Sequence, residues 1–96
     1  MNKCALSGVV VGLEPLRYTP AGIPLLSFVI NHVSEVIEAG LKREVECEVS
    51  AVAMGDLAKS NITLGTNINV AGFLAKRSAK STQLVLHIMK IEILEN

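Results

Sequence analysis

The sequence predicts an all-β domain, a small five-stranded Greek-key barrel with one short helix between the third and fourth strands. Three observations carry that expectation. Five apolar or alternating stretches are separated by turn-forming residues, and a single helical piece falls after the third of them. The first stretch contains Gly8 and Gly12, and glycines at that spacing suit a strand that bends round a barrel. Half of the 96 residues are apolar, yet Tyr18, Phe28 and Phe73 are the only aromatics, so the core must be built from Val, Ile and Leu. A chain of this length makes one domain with little surplus stability.

The first strand is expected over residues 3–16, with Val9-Val10-Val11 framed by the two glycines. Residues 19–23 then reverse the chain, because Pro20 presets its φ and Gly22 tolerates a positive one. Arg17 and Tyr18 stand at the shoulder of this turn. The second strand, residues 25–33, places Leu26, Phe28 and Ile30 on one side. Residues 34–41 fit either a short helix capped by Ser34 and ended by Gly40 or a hairpin loop. The third strand, residues 42–53, alternates Val45, Cys47, Val49 and Ala51 against Glu44, Glu46, Glu48 and Ser50, which predicts one core face and one wet acidic face.

Residues 54–59 form the helical connector, and Asn61 with residues 63–65 breaks it. The fourth strand follows over residues 66–76, a turn over 77–81 and the last strand over 82–94. In that last strand the apolar positions change parity between Ile88 and Met89, which predicts a bulge or a change of packing partner. Strand, strand, strand, short helix, strand, strand is the order of an oligonucleotide-binding fold (OB-fold). A five-stranded SH3-like barrel or an open sandwich shares much of the pattern, and the helix is what discriminates.

Nine basic and nine acidic residues cancel, so any anion-binding site must be a local patch. No apolar run approaches a membrane span, and the opening Met-Asn-Lys-Cys-Ala-Leu lacks the long apolar region of a signal peptide, so a cytoplasmic protein is expected. Cys4 and Cys47 are expected to be reduced and buried. His32 and His87 lie too far in sequence from each other and from the cysteines to resemble a zinc motif, and no nucleophile elbow or phosphate-cradling loop is present. The expectation is a binding protein without metal, cofactor or enzymatic activity.

Three basic groups remain as candidates. In an oligonucleotide-binding fold a single strand crosses strands two and three, bounded by the loops after strands one and four. Arg17 and Tyr18 fall in the first of those loops; Lys76, Arg77 and Lys80 fall in the second; Lys42 and Arg43 open strand three. Lysine and arginine neutralise phosphates, and an aromatic side chain adds about 1–3 kcal/mol per stacked base. Phe28 and Phe73 read as packing residues, which leaves Tyr18 as the one stacking candidate. A charged turn that merely keeps the protein soluble is the competing reading of Lys76, Arg77 and Lys80. Glu44, Glu46 and Glu48 would repel phosphates, and they support a second hypothesis, an adaptor whose acidic face docks a basic protein partner.

Several segments are more specific: Leu-Arg-Tyr-Thr-Pro-Ala-Gly-Ile-Pro at residues 16–24, Ser34-Glu35 with Glu38-Ala39-Gly40, Gly72-Phe73-Leu74-Ala75, and Leu84-Val85-Leu86-His87. Through them the chain resembles, over nearly its whole length, the primosomal replication protein N family, bacterial relatives of single-stranded DNA-binding protein that act in restarting stalled replication forks. The resemblance implies an oligonucleotide-binding fold, a homodimer built partly through the first strands, and binding to single-stranded DNA and to the fork-restart helicase. Some members place aromatics near the start of strand three, where this sequence has Leu41 and Glu46.

Overall fold

The chain forms β1 (Cys4–Leu13), the two-residue β2 (Arg17–Tyr18), β3 (Pro24–Glu38), β4 (Leu41–Met54), a 3-10 helix (Gly55–Lys59), β5 (Asn67–Lys76) and β6 (Leu84–Leu94). The computed structural model describes residues 1–94. The strands lie in the order β1-β5-β6-β4-β3-β2, and β1 also pairs with β3, so the sheet closes on itself. Closure by one bent strand, with the helical turn between β4 and β5, selects the oligonucleotide-binding barrel over the open sandwich.

The bend in β1 follows from its glycines. Residues up to Val9 pair with β5, and residues from Val9 onward pair with β3. At the handover a Cβ on Gly8 would lie 2.4 Å from the Asn31 carbonyl oxygen, so only glycine lets the two strands approach. A register shift between Val10 and Gly12 turns the strand further. The strand ends at Leu13, earlier than expected: the Glu14 amide still donates to the Ser27 carbonyl, at 3.0 Å, and Pro15 then has no amide to offer. The following turn forms as its residues predict, with Pro20 at the second position, Gly22 at φ 81° and the Gly22 amide donating to Thr19 at 2.8 Å.

Residues 34–41 resolve as a hairpin. The β3–β4 ladder runs in unbroken register from Leu25 opposite Met54 to Glu38 opposite Leu41, and Ala39 and Gly40 close it with φ of 53° and 78°. Positive φ at both central residues is the signature of the two-residue hairpin turn whose twist matches that of the strands. Both strands therefore outrun the barrel as a projecting arm, longer than the sequence pattern suggested.

The core gathers Leu26, Phe28 and Ile30 of β3, Ala51 and Ala53 of β4, and Ile68, Val70, Leu86 and Ile88 opposite them, with Ala58 of the 3-10 helix. Cys47 corrects an expectation. It is exposed: among the described residues β4 pairs with β6 at Ala51 and Val52, downstream of Cys47. Cys4 is half-buried against the core, and both thiols are free. The predicted bulge in the last strand is present: Ala71 faces Lys90 and Gly72 faces Ile88, leaving Met89 as the extra residue. Among the described residues no helix is long and apolar enough to cross a membrane.

Candidate nucleic-acid interface

Residues directly opposite in an antiparallel ladder share a face. With Leu26, Phe28 and Ile30 turned into the core, the alternate residues Leu25, Ser27 and Val29 look outward, beside their β4 partners Met54, Val52 and Ser50. These residues floor a groove of about 400 Å³ across the middle of the barrel. Arg17 of β2 enters it from one side and Arg77, which follows β5, from the other. A second hollow continues past Arg77 along β4 to Glu48. Glu14 also reaches the first groove.

Neither of these two guanidiniums meets a carboxylate among the described residues, where the ion pairs are Lys42 with Glu35 at 3.1 Å and Arg43 with Glu38. Arg17 and Arg77 are thus the cations of the groove left available for an anionic ligand. The backbone fixes where they stand. β2 pairs Arg17 with Leu25, and the Arg77 amide donates to the Gln83 carbonyl at 2.9 Å, closing the β5–β6 turn.

The other predicted residues are dispersed. Tyr18 is 61% exposed and pairs with Pro24 on the β2 edge, outside the residues that line the groove. Lys76 donates from Nζ to the Ala79 carbonyl at 3.1 Å within its own turn, where Lys80 is exposed. Lys42 lies far along the arm on the groove-bearing face, opposite Ile37, whereas Arg43 lies on the reverse face, opposite Val36. Glu44, Glu46 and Glu48 are exposed on the groove-bearing face of the arm, and Glu46 accepts from Asn31 Nδ2 at 3.2 Å.

The histidines differ. The His32 ring fastens β3 to β1: Nδ1 must donate to the Ser7 carbonyl at 2.6 Å, since a carbonyl only accepts, and Nε2 then accepts from the Ser34 hydroxyl at 2.9 Å. His87 lines the groove and stacks on Phe73, with centroids 4.9 Å apart and rings 9° from parallel. Sequence reasoning missed this pair. The parity of Leu86 and Ile88 places His87 on the outside of β6, but only the parallel pairing of His87 with Val52 carries it to the groove.

A closed barrel whose outer β3–β4 face is a groove flanked by arginines from the connections after β1 and β5 belongs to the class of oligonucleotide-binding folds. Residues 2–90 match the model of a family described as another single-strand binding protein family. The replication restart protein PriB of Nitrosomonas europaea is 38% identical over 97% of this chain and 88% of its own. PriB of Bordetella pertussis is 45% identical over 94% and 86%. The solved structure of the PriB protein from Ralstonia solanacearum superposes with a TM-score of 0.87 at 34% identity, covering 99% of each chain. This chain belongs to that single-strand binding protein family, among the replication restart proteins PriB.

Proposed function

We propose that this protein binds single-stranded DNA across the β3–β4 face, with Arg17 and Arg77 neutralising phosphates on either side of a strand laid in the groove. It acts as a non-enzymatic accessory of replication restart, needing no cofactor or metal, and it holds displaced DNA beside the fork-restart helicase. The observation that carries this reading is the convergence of two arginines, neither with a carboxylate partner among the described residues, from two separate connections on one groove. Lys76 and Lys80 extend the positive edge along the β5–β6 turn. Lys42 and Arg43, each occupied by a glutamate, contribute less, and Tyr18 adds a stacking surface at the shoulder. A homodimer assembled partly through β1 lengthens the path available to DNA.

Fluorescence anisotropy of a labelled oligothymidine over a salt series tests the proposal. Arg17→Ala and Arg77→Ala should each weaken binding and lower the magnitude of the log–log salt slope by about 0.7, the single-strand counterion release per phosphate contact. Unchanged affinity and slope in both variants would sink the reading.

The exposed acidic row on the arm favours a second reading, an adaptor that docks a basic surface of the helicase through Glu44, Glu46 and Glu48. Under it, Glu46→Lys strengthens DNA binding and abolishes helicase capture. Retained capture removes it.

A further inference from the structure

Resting on the groove as the DNA site, we propose that His87 is a base-contacting residue, the imidazole supplying the ring surface and hydrogen-bonding nitrogens that strand β4 lacks. Four observations converge on it. Of the two stacked rings it is the imidazole that lines the groove, while Phe73 lines a separate apolar hollow near Cys4 and Met89. The phenyl ring therefore backs the imidazole from the far side and fixes its plane. Neither ring nitrogen of His87 has a hydrogen-bond partner among the described residues, in contrast to His32, whose two nitrogens are both engaged. Among the described residues no buried side-chain nitrogen or oxygen is left without a partner, so the free nitrogens of His87 are not sealed from solvent.

The fourth observation is position. His87 pairs with Val52, which is 9% exposed and sits opposite Ser27 on the groove floor, so the ring stands on the floor itself while Arg17 and Arg77 reach the groove from its two sides. A strand whose phosphates meet the two arginines presents its bases between them. A planar ring held by an aromatic neighbour can stack on a base at little entropic cost, and its nitrogens can read a base edge. The acidic row offers no such surface, and Tyr18 lies outside the groove lining.

The test compares an oligothymidine with an abasic strand of the same length, which keeps the phosphates and removes the bases. His87→Ala should weaken oligothymidine binding about tenfold, the equivalent of one modest base contact, and leave abasic binding unchanged. His87→Gln, which keeps a donor and an acceptor, should recover part of the loss, and Phe73→Leu, which removes the backing ring, should reproduce part of it. Equal losses on both strands mean that His87 only shapes the groove, and no loss on either means that it does not touch DNA; each overturns the inference. If Arg17→Ala and Arg77→Ala behave as expected while His87→Ala does not, the inference falls alone. If the unaltered protein binds neither strand, the function proposed for the groove falls with it.

Discussion

A methyl group on residue 72 would sit 1.8 Å from the carbonyl oxygen of His87, closer than any real contact, and the clash is with backbone on the facing strand. Gly72 is therefore what allows β5 and β6 to approach where the register shifts past Met89. Gly72→Ala is expected to destabilise the fold by about 3 kcal/mol, at the upper end for overpacking, read from the urea midpoint. Because His87 is the residue displaced, the Phe73 stack should be lost with it in any variant that still folds, seen as altered ring proton shifts. The sequence contains this glycine plainly but not its reason. Close approach depends on which residue lies opposite, and pairing between strands separated by a turn is set by the bulge rather than by local pattern. That His87 lines the groove was illegible for the same cause, whereas the positions of Arg17 and Arg77 beside it were legible because connections at fixed places in the strand order flank the β3–β4 face.

At the scale of elements, the β3–β4 arm departs furthest from what alternation suggested. Val45, Cys47, Val49 and Ala51 do share one face, yet only Ala51 is fully buried, since alternation reports a face and says nothing of whether another layer covers it. The consequence is chemical. Cys47 should react with a small disulfide reagent under native conditions much faster than Cys4, and peptide mapping by mass spectrometry after partial labelling should find the adduct on Cys47. Equal labelling of the two would mean that the arm is covered. The arm also carries exposed Val33, Val36, Ile37 and Leu41, and its Lys42–Glu35 and Arg43–Glu38 pairs place charge along open strand edges. Charge there discourages edge-to-edge aggregation, and as exposed pairs they add little to stability.

For the whole molecule, zero formal net charge means that attraction for an anionic ligand comes from local patches, and on the role proposed for Arg17 and Arg77 DNA binding should fade steeply with added salt. The strand order, the bent first strand and the last-strand bulge were all readable, because each is written as a period or a glycine in a short window. The length of the ladders was not, and that length decides how the barrel holds together. Among the described residues, four of the five ladders that close the ring are long or moderate; the parallel seam between β4 and β6 has two residue pairs, Ala51 with Leu86 and Val52 with His87. A ring with one short join opens there first, as a bracelet does at its clasp. Amides at this seam should exchange with deuterium faster than those of the central β3–β4 ladder, despite the burial of their side chains. A strand of DNA lying over Val52 and His87 would bridge both sides of the join, so bound oligonucleotide should slow exchange there more than elsewhere, fastening the clasp by mass action.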